Sequence, residues 1–208
     1  MRAMPSVLVV CTANVCRSPL AARTLARALE GSALGAVEVT SAGTRALEGQ
    51  AMCAVSAEEL DPGDAAEHRA RQLTGDLVRE ADLVLTMERE QRSDAVRSAP
   101  GSQAKVFTLR EAAALLSVLA ERDVPAPTDL AALAKALHSV RGLAPLVPTE
   151  PVKKHWWSRP EEPEDPMTIV DGHGRSLEEH TAAAAQVHET ADRVAAAIIA
   201  LTTRPPAS

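Results

Sequence analysis

Four short apolar runs are separated by longer stretches in which apolar and polar residues recur with helical spacing. The first run, at residues 6–10, is valine-rich and continuous, which is typical of a strand buried on both faces of a parallel sheet. The runs at residues 37–40, 83–87 and 105–109 predict three further strands. Strands that alternate with helices indicate an α/β fold.

Turn and cap residues delimit the helices between these strands. Pro19 marks the first turn of a helix that Gly31 closes, and Thr74 can cap a short helix before the third strand. Further helices are predicted at residues 51–60 and 88–97. We therefore expect an open parallel four-stranded sheet flanked by helices on both faces, with function at the carboxyl ends of the strands.

The pattern changes in the second half of the chain. Residues 111–121 and 130–140 are rich in alanine and leucine and predict two helices, whereas residues 145–166 are dense in proline and charge. We interpret the chain as one domain with an inserted helical and proline-rich excursion at about residues 112–163. A capping-box pattern at Ser176 then begins a long C-terminal helix that is apolar on one face.

Composition and charge narrow the classes of function. Apolar residues make up 46% and charged residues 24% of the 208 residues, as in globular proteins. The net charge of −6 argues against binding to nucleic acid or a membrane surface, and the apolar run at residues 7–10 is too short to span a membrane. Three cysteines form no disulfide framework, which favours a reducing cytoplasm. The six histidines show no metal-ligand spacing, so we expect neither a metal nor a cofactor.

The segment from Cys11 to Pro19 joins the first strand to the first helix. Unpaired backbone N–H groups at a helix N-terminus point at one spot, and the helix dipole adds positive potential there. Five residues between Cys11 and Arg17 are enough to wrap a loop around one phosphate, which Arg17 can bind bidentately. The same field favours the thiolate form of a cysteine, and Ser18 can donate its hydroxyl to the sulfur. The alternative is that Cys11 is only a buried apolar residue.

The loop sequence C-T-A-N-V-C-R-S-P resembles the signature of the low-molecular-weight protein tyrosine phosphatases, C-T-G-N-x-C-R-S-P, at all but one position. Further stretches that resemble this family follow in the family's order at residues 40–44, 68–73, 81–88 and 165–166. The resemblance covers about residues 5–111 and 164–202. It implies a metal-independent phosphomonoesterase that forms a phosphocysteine intermediate and acts on phosphorylated proteins or small phosphomonoesters.

The resemblance also implies roles for individual residues. Cys11 is the expected nucleophile and Arg17 the expected clamp on the transferring phosphoryl group. The residues expected to bind phosphate are Thr12, Ala13, Asn14, Val15, Cys16, Arg17 and Ser18. The residues expected to hold the shape of the loop are Asn14, Ser18, Ser41 and His68.

Three positions depart from the family pattern. Ala13 replaces the usual glycine, so its backbone must avoid positive φ or carry strain. Leu47 and Met167 stand where the family commonly has the two aromatic residues that wall the phosphotyrosine pocket. The preference for phosphotyrosine is therefore left open at this point.

The mechanism also needs a carboxylic acid that protonates the leaving oxygen. Asp165 is predicted for this role because it precedes Pro166, as in the family, and because proline restricts the preceding residue to extended conformations. However, the connection at residues 167–175 is longer than is usual in the family. Asp171, in a loop with glycines, is therefore the second candidate.

Two alternative functions remain beside the phosphatase. Arsenate reductase of the thioredoxin-coupled kind shares this loop, but it needs two further cysteines near the third strand, and residues 74–100 contain none. A phosphate-binding module without turnover would keep Cys11 and Arg17 but lack a working acid. Cys16 is expected either to form a reversible disulfide with Cys11 or to pack at the start of the helix.

Overall fold

Four parallel strands form the centre of the fold, which was obtained as a computed structural model that describes residues 4–122, 125–143 and 165–204. The strands lie side by side in the order β2-β1-β3-β4, and every neighbouring pair is parallel. The predicted open parallel sheet is thereby confirmed. The strands are β1 (Ser6–Cys11), β2 (Glu38–Gly43), β3 (Leu83–Thr86) and β4 (Val106–Thr108).

Helices connect the strands and follow the last of them. A 3-10 helix at Pro100–Lys105 precedes β4. The α-helices are α1 (Arg17–Leu29), α2 (Ala54–Glu58), α3 (Pro62–Ala66), α4 (Gly75–Glu80), α5 (Arg89–Ser98), α6 (Leu109–Ala120), α7 (Leu130–Ser139) and α8 (Leu177–Thr202).

Pro19 lies in the first turn of α1, as predicted, whereas the second predicted helix differs from the structure. Helix α1 begins at Arg17, two residues before Pro19, so Arg17 belongs to the first helical turn. The single helix predicted at residues 51–60 is shorter and is followed by α3, because Pro62 begins a new helix at its first position.

Both faces of the sheet are covered, because successive side chains of a strand point to opposite faces. Val7 and Val9 pack in a core with residues of α1, α6, α7 and α8. Leu8 and Val10 pack in a second core with residues of α4 and α5. The continuous valine-rich pattern of β1 follows from this burial on two sides.

Helices α6 and α7 are part of the main core. Their buried leucines are Leu109, Leu115, Leu116, Leu119, Leu130, Leu133 and Leu137, all in the core that contains β1 and α8. The inserted excursion at about residues 112–163 stays a prediction, and these leucines show that its helical part packs on the sheet. The proline-rich part at residues 144–164, with both tryptophans, lies outside the described residues.

Gly43 ends β2 at the point where the chain after β1 leaves the sheet, since Cys11 is paired in register with Gly43. A Cβ atom at Gly43 would lie 2.5 Å from the Thr12 carbonyl oxygen and 3.0 Å from two atoms of Asn14. Because these are mainly backbone atoms, the loop after β1 would have to move to admit a side chain. Glycine at this position therefore lets β2 and the loop pack directly against each other.

We expect Gly43→Ala to lower the free energy of unfolding by about 1–3 kcal/mol, as overpacking at a rigid contact does. Urea denaturation of the variant and the wild type measures this difference. Gly63→Ala is the matched control, because a Cβ atom at Gly63 in α3 meets nothing within 4 Å. Equal stability of Gly43→Ala and the wild type would contradict the close approach.

Candidate active site

The segment that follows β1 turns sharply into α1 and places the Cys11 sulfur at its base. Ser18 Oγ lies 3.0 Å from Cys11 Sγ, and the backbone N–H of Asn14 donates to the same sulfur over 3.2 Å. Both residues are buried: Cys11 lies at the end of β1, and Ser18 lies in the first turn of α1. Because a thiolate can only accept, this arrangement suits a negatively charged sulfur with two donors.

Asn14 holds the shape of this loop. Its φ is 58°, the left-handed region that asparagine tolerates better than most residues. Its side-chain Nδ2 donates to both Ser18 Oγ and Ser41 Oγ at 2.9 Å, and its Oδ1 accepts from the Arg71 backbone N–H at 2.9 Å. All the polar atoms of the Asn14 side chain are thus used, and the Arg71 donor fixes which way the amide points.

Ala13 does not need the glycine that the family usually has. Among the described residues, Asn14 alone of the non-glycine residues has a positive φ. The backbone conformation that would strain an alanine is therefore taken up one residue later, and Ala13 fits without it.

His68 stabilises the loop through a hydrogen bond to the backbone of Asn14. Its Nε2–H donates to the Asn14 carbonyl oxygen over 2.7 Å. Burial lowers the pKa of His68, and nearby Arg23, Arg69 and Arg71 lower it further, although the bond to the Asn14 carbonyl opposes them. The ring is therefore neutral at pH 7, with its proton on the nitrogen that faces the loop.

Arg17 reaches three acceptors with its guanidinium group, and its side chain is only 4% exposed. Nη1 donates to Glu88 Oε1 and, over 2.9 Å, to the Ile169 carbonyl oxygen, while Nη2 donates to Asp171 Oδ2 over 2.6 Å. Nε of Arg17 has no hydrogen-bond partner within the described ranges. The Nε–Nη2 edge is therefore the one that two phosphate oxygens can meet.

Glu88 is itself held in place by Gln91. Gln91 Nε2 donates to Glu88 Oε1 at 2.9 Å and to Thr12 Oγ1 at 3.1 Å. Gln91 Oε1 accepts from the backbone N–H groups of Met87 and Glu88. One glutamine thus connects the end of β3, the start of α5 and the loop after Cys11.

The structure brings Asp171, not Asp165, to Arg17. Asp165 Oδ2 pairs with Arg89 Nε at 2.6 Å and accepts from Thr168 Oγ1, while its Oδ1 accepts from the Met167 N–H at 3.0 Å. Its carboxylate thus closes its own turn. Asp171 Oδ2 contacts Arg17 directly, and its Oδ1 accepts from the His173 N–H at 3.0 Å.

Two anchors set the position of Asp171. Ile169 is fully buried in the main core, and its N–H donates to the Met87 carbonyl oxygen at 2.9 Å, just beyond β3. Gly172 packs so closely against α8 that an added Cβ atom would lie 2.5 Å from His180 Cα. Asp171, which lies between these anchors, is therefore held beside Arg17 by packing on both sides.

Leu47 and Met167 differ in where they lie. The Leu47 N–H donates to the Ala13 carbonyl oxygen at 3.0 Å, and its side chain is exposed at the rim of the loop. Met167 is buried and lies with Pro166 between α6 and α8. Leu47 therefore borders the site, whereas Met167 takes part in packing.

Cys16, the N-cap residue of α1, lies beside a second cysteine. Its pKa is raised, first by a hydrogen bond with Cys53 and then by burial, while the same bond lowers the pKa of Cys53 to about 5. The Cys11–Cys16 disulfide stays a prediction.

Comparison with known proteins shows that the chain is similar to one family of phosphatases. The model of the low molecular weight phosphotyrosine protein phosphatase family matches residues 6–142. The probable low molecular weight protein-tyrosine-phosphatase EpsP of Ralstonia nicotianae is 41% identical over 108 residues, which are 51% of this chain and 71% of that protein. The chain therefore belongs to this phosphatase family.

Similar proteins also include an arginine phosphatase and a tyrosine phosphatase of known structure. A protein-arginine-phosphatase of Geobacillus stearothermophilus is 38% identical to the phosphatase over 106 residues, which cover 50% of this chain and 69% of that protein. The crystal structure of the tyrosine phosphatase Wzb from Escherichia coli K30 with phosphate has a TM-score of 0.59 at 23% identity, covering 93% of this chain and 97% of that one. This likeness confirms the fold. The family assignment favours the phosphatase prediction over arsenate reductase.

No helix in the described ranges is both long and apolar enough to cross a membrane.

Several site residues of the phosphatase escaped the sequence analysis. Glu88 and Gln91 form a capping box at the start of α5, directly after a buried strand. That pattern could have identified them. The backbone groups of Arg71 and Ile169 carry no such pattern, because any residue there can supply an N–H or a carbonyl oxygen.

Proposed function

We propose that this phosphatase hydrolyses phosphotyrosine in proteins through a phosphocysteine intermediate on Cys11. The observation that carries the proposal is the Cys11 sulfur, which has hydroxyl and backbone donors at 3.0 and 3.2 Å in the loop that ends at Arg17. These donors stabilise a thiolate, and Arg17 supplies the charge that a transferring phosphoryl group needs.

In the first step, the Cys11 thiolate attacks phosphorus, and the bond from phosphorus to the substrate oxygen breaks as the phosphorus–sulfur bond forms. The Nε–Nη2 edge of Arg17 and the backbone N–H groups of the loop bind the phosphate oxygens. A protonated carboxyl group gives its proton to the leaving oxygen.

In the second step, water attacks the phosphocysteine and the carboxylate takes its proton. The phosphorus–sulfur bond breaks, and its electron pair returns to Cys11 Sγ. Asn14 Nδ2 occupies a lone pair of Ser18 Oγ at 2.9 Å, which leaves the Ser18 hydroxyl proton to point at the departing sulfur. Ser18 thereby makes the thiolate a better leaving group.

Asp171 is the residue that we propose as this acid and base, in place of Asp165. Its side chain is 42% exposed and bonds the guanidinium nitrogen that also faces the phosphate. A proton donor must lie within hydrogen-bond reach of the leaving oxygen, and the contact of Asp171 with Arg17 supports this role. Asp165 is engaged by Arg89 and by its own turn.

Phosphotyrosine as the substrate is supported by the similarity to EpsP, a probable protein-tyrosine-phosphatase. The aliphatic Leu47 at the rim gives a phenyl ring an apolar surface, although it lacks the stacking of an aromatic wall. The protein has three free thiols, at Cys11, Cys16 and Cys53, which support a cytoplasmic location. We also propose that the chain acts as one phosphatase domain.

Cys11→Ser is expected to lower kcat by at least about 10³-fold while inorganic phosphate or vanadate still binds, because the backbone and Arg17 form most of the cradle. Steady-state kinetics with an aryl phosphate and a binding titration measure the two effects. Cys53→Ser, assayed with a chelator present, is the matched control and should keep wild-type kcat. Comparable turnover in the Cys11→Ser variant would contradict the role of Cys11.

A leaving-group series separates the two aspartates. A strongly acidic phenol leaves an aryl phosphate largely without a proton, whereas a weakly acidic phenol needs one to leave. Asp171→Asn is therefore expected to cost little for the first and roughly 10²–10⁴-fold in kcat for the second.

Asp165→Asn is the matched control for that series, and it is expected to affect all leaving groups alike. If Asp165→Asn produced the gradient and Asp171→Asn did not, the assignment of the acid to Asp171 would be refuted.

A further inference from the structure

Four soft or borderline metal ligands converge on one side of the phosphate loop, and the proposed reaction uses none of their side chains. The ligand atoms of Cys16, Cys53 and His180 all lie within 4.8 Å of one another. His173 Nδ1 lies 3.3 Å from Cys16 Sγ, and its ring meets that of His180 edge-on at 5.7 Å. These residues come from the N-cap of α1, the N-cap of α2, the loop before α8 and α8 itself.

Two of the separations fit tetrahedral coordination. Zinc binds sulfur at about 2.3 Å and imidazole nitrogen at about 2.0–2.1 Å, so a tetrahedral site places its ligand atoms roughly 3.3–3.8 Å apart. Cys16 Sγ and His173 Nδ1 are 3.3 Å apart, and Cys53 Sγ and His180 Nε2 are 3.6 Å apart. A disulfide would account for the two cysteines alone, but not for an imidazole against each sulfur.

We propose that Cys16, Cys53 and His180 bind a zinc ion, with His173 as the fourth ligand. Binding replaces the thiol protons with the metal, so it releases them to solvent and changes no oxidation state. Ser56 Oγ, buried 3.2 Å from Cys53 Sγ, can donate to the metal-bound thiolate and orient it. This donor set, two cysteines and two histidines, is one that zinc takes in proteins.

No metal is expected from the sequence, because the six histidines show no metal-ligand spacing. The four ligands here lie in segments that only the folded chain brings together. Gly172 contributes, since its close packing on His180 carries His173 to the same place. The expectation of no metal is therefore replaced by this proposal.

The site has a consequence for turnover that rests on the proposed function. Cys16 belongs to the phosphate loop, and His173 follows Asp171 by two residues and donates its N–H to the Asp171 carboxylate. An ion that ties these residues together holds the acid loop and the phosphate loop in one arrangement. Because the acid must approach the substrate and then a water, zinc is expected to inhibit.

The test of the site is a cobalt titration of the reduced, metal-free full chain. Tetrahedral Co²⁺ with thiolate ligands gives strong visible bands and a near-ultraviolet charge-transfer band, and Zn²⁺ should then abolish them. Cys53→Ser and His180→Asn are expected to weaken metal binding by at least about 10–100-fold, the cost of losing even an outer-shell partner. Serine is a good N-cap residue, so Cys53→Ser is expected to fold.

His188→Asn is the matched control on the same helix, because His188 pairs with Asp192 and lies apart from the cluster. Cys11→Ser is a second control, which separates this site from metal binding at the nucleophile. Both are expected to keep the wild-type cobalt spectrum. A spectrum without tetrahedral bands, or loss of binding in Cys11→Ser but not in Cys53→Ser, would overturn the site.

Activity is a separate readout. Zinc is expected to inhibit hydrolysis of an aryl phosphate by the wild type and to inhibit Cys53→Ser much less. Binding without inhibition would confirm the site and overturn its regulatory consequence. Absence of turnover in metal-free protein that still binds cobalt would refute the proposed function and leave the metal site standing.

Discussion

The left-handed backbone of Asn14 is the constraint on which the rest of the site depends. A left-handed conformation costs an ordinary L-residue about 1–2 kcal/mol, and asparagine less. In return, this one residue connects the Cys11 sulfur, Ser18, Ser41, the backbone of Arg71 and the ring of His68. Each such bond contributes about 0.5–1.5 kcal/mol, and each buried partner left unpaired costs about 1–3 kcal/mol. The network therefore outweighs the backbone cost and fixes the loop before a phosphate arrives.

The parallel sheet supplies the second half of the site by bringing two strand ends together. Val10 of β1 is paired with Thr86 of β3, so the residues that follow each strand emerge side by side. Arg17 begins α1 on one side, and Glu88 precedes α5 on the other. The buried guanidinium group of Arg17 needs opposite charges beside it, and the carboxylates of Glu88 and Asp171 supply them.

The two carboxylates are not equivalent. The Glu88 side chain is 26% exposed and bonded to Gln91, whereas that of Asp171 is 42% exposed and is followed by a glycine-containing turn. An ion pair nearer to water costs less to break. The Arg17–Asp171 contact is thus the one suited to exchange with substrate, while Glu88 keeps the guanidinium oriented throughout.

The fold and the phosphate loop could be predicted from local patterns, whereas the acid and the metal ligands proposed above could not. A valine-rich run before a polar loop and a proline at a helix start are local features, and they correctly located β1, Cys11 and Arg17. Asp165 and Asp171 are separated only by where the buried Ile169 anchors the chain beside β3, which is a tertiary contact. The cluster around Cys16 and Cys53 likewise depends on how α2 and α8 meet the loop.

Trapping the covalent intermediate tests the central claim most directly. The protein is mixed with an aryl phosphate, quenched in acid within the first turnover, digested and examined by mass spectrometry for a phosphoryl group on sulfur. The account predicts that Cys11 carries this group, that Cys16 and Cys53 do not, and that Asp171→Asn still forms it from a substrate with an acidic leaving group. A phosphoryl group on another residue, or turnover with no phosphocysteine at any quench time, would contradict it.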